Sequence, residues 1–288
     1  MIGVLFNIFG RLPLGIGYLL ADGLAFLAAR IVRYRRKVIL DNLRSSFPDM
    51  QDKEIKKICN RFYRFLADYF IETLRLGHMS DDEIKRRMTF ENPHIIDDLT
   101  DRGKSVAIML GHYCNWEWLS SLPLHLKGNA DPSQIYHPLE NAAADRAFAR
   151  IRSRFGCNNV PMRDTLRYLT AKHNEGLTTV TGFIADQSPL YTSTHLWLDF
   201  LNHETGVFTG HEKIMRRYAG AMVYCHIERP RRGYYHCRFE LICDDVTAVP
   251  EFQPTRTYFS KLEAQIIRTP HLWLWSHRRW KRPRPSTT

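Results

Sequence analysis

Apolar residues recur along this chain in two rhythms, which divide it into a helical first third and an alternating remainder. Residues 12–32 are almost continuously apolar, with Arg11 before them and Arg33, Tyr34, Arg35, Arg36 and Lys37 after. Between residues 53 and 76, Ile55, Ile58, Phe62, Phe65, Leu66, Tyr69, Phe70 and Leu74 fall at helical spacing, and Gly77 supplies a stop. Ser80, Asp81, Asp82 and Glu83 have the form of a capping box that opens another helix, and Pro93 and Gly103 frame a third. From residue 105 onward, apolar or β-branched runs alternate with helical patterns. Strands are predicted at 105–110, 134–136 and 178–185, and helices at 118–126, 142–155, 164–173, 211–218 and 255–268. Residues 221–228 and 234–243 read as a hairpin around 229–233. The order predicts an α/β fold: a single mixed sheet flanked by helices, with an N-terminal helical membrane-associated segment. The expected division is an anchoring segment, 1–37, and a folded domain, 38–288, made of a helical annex (38–103) and an α/β body (104–288).

Residues 12–32, about 21 in number, just reach the length that spans a bilayer. Asp22 near the middle costs about 3 kcal/mol on insertion scales, and Gly15, Gly17 and Gly23 weaken an independent helix. Two versions therefore stay open, a tilted or shallow membrane helix and an amphipathic anchor. The basic cluster follows the apolar run, which argues against a cleaved signal peptide and keeps the remainder on the cytoplasmic face. The formal charge of +11 suits an anionic partner such as a membrane surface or an acidic protein. With basic residues spread along the chain and no RNA-binding signature, no nucleic acid is expected. Cys59, Cys114, Cys157, Cys225, Cys237 and Cys243 lack any paired or metal-type spacing, so a reduced compartment is the simplest reading. His203, Glu204 and His211 lie close in sequence, yet most histidines occur singly among polar residues, and no metal site is expected.

The candidate chemistry centres on Gly111, His112, Tyr113, Cys114, Asn115, Trp116 and Glu117, which follow the strand at 105–110. On a continuous helix five residues turn through about 500° and would point His112 and Glu117 apart. A strand-to-helix turn removes that constraint and lets the carboxylate reach the imidazole, whose other nitrogen then suits removing a proton from a hydroxyl. A plainer alternative is that Glu117 answers the helix dipole and His112 is a satisfied polar residue. Asn115, or a backbone N–H at the helix start, is a candidate oxyanion donor. In open α/β sheets sites form at strand C-termini, where His112 with Glu117, His137, and Asp186 with Gln187 are all predicted to lie. Thr209 and Gly210, before a helix with Lys213, Arg216 and Arg217, are candidates to line the cleft or meet an anionic headgroup. The residues around Trp273, Trp275, Arg278, Arg279 and Trp280 mix cations with indoles, a composition suited to a membrane interface or an acidic carrier protein.

Five blocks in order, GHYCNWEW, IYHPLENAAADRAFARIRSRFG, GFIADQSP, FTGHEKIMRRYAGAMVYCHIER and WLWSHRRWKRPRP, resemble the bacterial lipid A late acyltransferases, the lauroyl and myristoyl transferases, over nearly the whole chain. The resemblance implies transfer of a fatty acyl group from an acyl-carrier-protein or coenzyme A thioester to a hydroxyl of a lipid A precursor, without cofactor or metal. It puts the catalytic pair on His112 and Glu117 and the aspartate-containing block on Asp186 and Gln187. It implies 38–288 as the acyltransferase domain, at the bacterial inner membrane with its catalytic domain on the cytoplasmic face. The family often has Arg where this chain has His137; Arg146 or Arg150 on the following helix is a candidate to supply that charge. Ser188 stands where an acid commonly follows the glutamine. Lysolipid or amino-acid-lipid acylation, and thioester hydrolysis with water in place of the acceptor, stay open on the same scaffold.

Overall fold

The computed structural model describes residues 8–285. The outer parts of the expected division, residues 1–7 and 286–288, lie outside the described residues. The α/β architecture is present: a seven-stranded mixed sheet flanked by helices. Its strands, numbered along the chain, are β1 Met88–Phe90, β2 Val106–Leu110, β3 Asp131–Tyr136, β4 Asn158–Pro161, β5 Thr179–Ile184, β8 Ala221–Arg231 and β9 Tyr234–Cys243. They run in the spatial order β1-β9-β8-β2-β5-β3-β4, and a separate antiparallel pair joins β6 Leu196–Phe200 to β7 His203–Val207. Within the seven, the β8–β9 pairing is antiparallel and the others are parallel. β2 sits between β5 and β8 and is buried at every position, which explains its unbroken apolar sequence.

The helices are α1 Leu14–Phe26, α2 Arg36–Ser46, α3 Asp52–Leu76, α4 Asp81–Arg87, α5 His94–Asp101, α6 Ala142–Arg152, α7 Thr165–Asn174, α8 Gly210–Arg217 and α9 Gln253–Arg268. Ser80 caps α4 as expected, its hydroxyl accepting from the Glu83 N–H at 3.1 Å. The helix expected at 118–126 is instead a run of 3₁₀ turns, Trp116–His125. Pro123 lies inside it and has no N–H to give an α-helical ladder. The short strands β1, β4, β6 and β7 were not predicted; runs of three to five residues carry too little alternation to read. The loop expected at 229–233 is also shorter, because β8 runs on to Arg231 and only Arg232 and Gly233 turn. Gly233 has φ +73°, and a Cβ there would lie 2.0 Å from Tyr18 Oη, so glycine is needed where the hairpin tip meets α1.

α1 continues into a π turn, Leu27–Ile31, and the pair forms one stretch long and apolar enough to cross a membrane. Its inward stripe is Leu14, Gly17, Ala21, Ala25 and Ala29, mostly small residues that let it approach α3 closely. A Cβ on Gly17 would already lie 2.7 Å from Ile71. Its outward residues Ile16, Leu19, Leu20, Leu24, Phe26 and Ile31 are exposed, the reverse of a solvated amphipathic helix. Asp22 is not left unpaired: Arg232 at the hairpin tip holds it at 2.8 and 3.1 Å.

Candidate functional site

β2 and β5 are neighbouring parallel strands with Leu110 opposite Ile184. Two residues beyond each, His112 and Asp186 emerge at the same level of the sheet's C-terminal edge. His112 Nδ1 lies 2.7 Å from Asp186 Oδ1, and Asp186 Oδ2 accepts from the His112 backbone N–H at 2.9 Å. Trp273 Nε1 donates to that same Oδ2 at 2.7 Å. Burial works against ionisation of Asp186, but its electrostatic interaction with the His112 ring and the bonds from His112 and Trp273 outweigh it and hold the carboxyl below the usual carboxylate range. An ionised acceptor at Nδ1 fixes the proton there and leaves Nε2 as the accepting nitrogen. The Gln187 side-chain nitrogen lies 3.3 Å from Nε2. Trp116 packs edge-on against the imidazole with ring centroids 5.0 Å apart.

The ring's carboxylate partner is therefore Asp186 rather than Glu117, and the expected Glu117–His112 contact is not made. Glu117, 3% exposed, is held in a fork by Arg152, with Nε to Oε2 at 2.7 Å and Nη2 to Oε1 at 2.6 Å. Tyr69 Oη adds a third bond at 3.2 Å. A carboxylate with its charge matched by a guanidinium and both oxygens occupied has nothing left for the imidazole. Gly111 is needed for space rather than for an unusual φ. A Cβ there would meet Leu262 at 2.6 Å, and the left-handed residue of the turn is Cys114, at φ +53°.

Asn115 is buried with its amide donated to Glu72 Oε2 at 2.9 Å, and it does not line the cavity beside His112, so it is not placed to meet an oxyanion there. Arg146 and Arg150 are exposed and do not line the cavity, whereas Arg152 does. Periodicity carried that signal, since Arg152 lies four residues after Phe148 on the inward face of α6, whereas 146 and 150 fall on other faces. His137 is exposed at the cavity rim, its Nδ1 2.9 Å from the Pro138 carbonyl. Gly210 lines the cavity; Thr209 is buried beneath α8 without lining it.

Trp273, Trp275 and Arg279 of the C-terminal stretch do not form an interfacial patch. Leu274 N donates to the His112 carbonyl at 3.1 Å and Cys114 N to the Leu272 carbonyl at 2.9 Å, so this stretch is laced to the His112 turn. Trp273 and Trp275 are buried, and buried Arg279 donates to the Gly206 carbonyl at 2.8 Å. Composition alone does not distinguish an indole bound for the core from one bound for a membrane surface.

The cavity that His112, Gln187 and Arg152 line measures about 820 Å³. Ile108, Leu122, Val180 and Phe183 line its buried part against the sheet, while exposed His137 and Lys281 mark where it meets solvent. That combination of an apolar interior and a few convergent polar groups is the form of a small-molecule site. His211 and His277 also line it, and burial pushes each down to about 4, so both are neutral near pH 7. Among the described residues no group of three His, Cys, Asp or Glu side chains converges as a metal site.

A family model described as bacterial lipid A biosynthesis acyltransferase matches residues 1–282. The chain is also similar to the lipid A biosynthesis lauroyltransferase of Escherichia coli (strain K12), with 23% identity over 287 residues, 97% of this chain and 90% of that relative.

Proposed function

The chain belongs to the bacterial lipid A biosynthesis acyltransferase family, and from that premise we propose that His112 is the general base of acyl transfer from a thioester to a hydroxyl of a lipid A precursor. The observation that carries the reading is a histidine whose Nδ1 is locked by a buried aspartate while Nε2 faces a deep apolar cavity. The acyl chain lies along Ile108, Leu122 and Val180. The acceptor hydroxyl gives its proton to Nε2 as its oxygen bonds to the thioester carbonyl carbon. The imidazolium formed is stabilised by Asp186. The Gln187 amide, beside Nε2, serves the developing oxyanion. Collapse of the tetrahedral intermediate breaks the carbon–sulfur bond, and the imidazolium returns its proton to the leaving thiolate. Glu117 acts through Arg152, keeping a charged guanidinium fixed in the cavity wall.

The donor is an acyl-carrier-protein or coenzyme A thioester, whose anionic carrier suits the cationic rim of Lys281 and Arg282. Residues 1–37 serve as the anchor and 38–288 as the acyltransferase domain. The basic run from Arg33 to Lys37 supports an inner-membrane location with the domain on the cytoplasmic face. The test is mass spectrometry of the total lipids of a bacterium with and without the chain. Expected is a lipid A precursor that gains one acyl chain, with His112→Ala lowering the transfer rate by about 10²–10⁴-fold. Full transfer by that variant overturns the role of His112, and a rise in free fatty acid with unchanged lipids reassigns the site to thioester hydrolysis.

A further inference from the structure

A second recess, of about 300 Å³, opens between α1, α3 and the tip of the β8–β9 hairpin, and shares no lining residue with the acyl cavity. Five arginines line it against two aspartates. Both aspartates are already engaged: Asp68 by Arg229 at 2.6 Å and by Arg232, and Asp22 by Arg232 at 2.8 Å. Arg61, Arg64 and Arg231 line the same recess, are exposed, and form no ion pair among the described residues. Arg229, with a side chain 12% exposed, keeps a buried Nε without a hydrogen-bond partner. Arg231 lies over the Tyr234 ring at 3.7 Å, and Arg61 and Arg64 stand one turn apart on α3, so three arginines outside any ion pair line one recess.

The position narrows the ligand. Asp22, on the recess wall, belongs to α1, whose exposed apolar residues mark the membrane side, and an α1 lying in the interface sets the recess beside the lipid headgroups. Arg229 and Asn115 both face buried Glu72, at 3.6 and 2.9 Å, and Asn115 is three residues from His112. Recess and base therefore flank one turn. A space this size admits a headgroup substituent but not a protein helix about 10 Å across. We propose that the recess binds a phosphate on the headgroup of the lipid acceptor, an inference that rests on the acceptor assigned above. Planar guanidinium forks match phosphate oxygens in pairs, and Arg61, Arg64 and Arg231 have no carboxylate to leave in doing so.

The experiment uses the full chain in uncharged detergent micelles, with a phosphorylated lipid A precursor and its phosphatase-treated counterpart as probes. Affinity is measured by calorimetry and acyl transfer by steady-state kinetics, for the wild type, Arg61→Ala and Arg64→Ala. Both side chains are exposed, and unchanged unfolding midpoints confirm that the variants fold. Expected is a loss of roughly tenfold in affinity per arginine for the phosphorylated lipid, seen kinetically as a rise in KM, with no loss for the phosphatase-treated lipid. Equal binding of both lipids by the wild type, or unchanged affinity in the variants, overturns the proposal. Variants that lose only binding to anionic phospholipid vesicles overturn it in favour of a bulk-lipid contact. Competition by inorganic phosphate at the lipid's own concentration overturns it in favour of free phosphate. Weakened binding in the variants without any transfer by the wild type leaves the site standing and removes the functional reading; transfer with unchanged affinities does the reverse.

Discussion

On one side of the turn from His112 to Asn115 every carboxylate is matched, while on the other arginines outnumber the acids that face them. Around the cavity beside His112, Asp186 takes three donors and Glu117 takes three, and both are almost fully buried. An unmatched charge at that depth would cost several kcal/mol, so the wall is closed by pairing. The arginine recess lies at the surface, where water screens Arg61, Arg64 and Arg231 and leaves them available at little cost. Pairing holds a reacting group in one geometry, and leaving charge unpaired keeps it free for a ligand.

Breaking the closed side at the histidine should have the largest effect. Asp186→Asn presents an amide where Nδ1 needs an acceptor and favours the wrong tautomer. The transfer rate is expected to fall by about 10²–10⁴-fold, with little change in KM for the acyl thioester. A variant with near-normal turnover would assign the basicity of His112 elsewhere. Next comes Arg152→Ala, which leaves Glu117 buried and uncompensated; denaturant unfolding should show a loss of about 3–5 kcal/mol. Adding Glu117→Gln to that variant should recover much of the loss, and no recovery would mean the pair was not the source.

An acid limb sharpens the same contrast. Burial lowers His211 to about 4 in the folded chain, so below its ordinary value of 6.5 the unfolded chain binds a proton that the folded one refuses. The stabilisation is fully present above about pH 6.5 and is lost as pH falls toward 4, on the order of 3 kcal/mol. His211→Gln should flatten that limb in unfolding measured across the range, and an unchanged limb would assign it to other groups such as His277. The smallest expected effect lies on the open side, where losing Arg61 or Arg64 is expected to weaken acceptor affinity roughly tenfold in calorimetry.

Much of this was legible from local pattern. Most of the helices (though not α2 or the 3₁₀ run after His112), the buried strand before His112, the apolar first helix and the convergence of His112 with Asp186 and Gln187 follow from periodicity and from sites forming at strand ends. The partner of the imidazole was not legible from spacing. Glu117 is five residues from His112 and Asp186 is seventy-four, yet β2 lies beside β5, and Leu110 opposite Ile184 brings the distant carboxylate into reach. Arg152 is marked in the sequence only as an inward position of a helix, and Trp273 reads as part of a basic, indole-rich tail, whereas the fold sets its N–H on Asp186. The sequence by itself determined the longer helices, the principal strands and which histidine ends a buried strand, because those depend on neighbours a few residues away; the short strands β1, β4, β6 and β7 and the helix α2 it left unmarked. Which carboxylate serves that histidine, which arginine answers Glu117, and where unpaired cations gather were decided by the tertiary structure, because strand order and helix rotation are set by burying all the apolar faces at once.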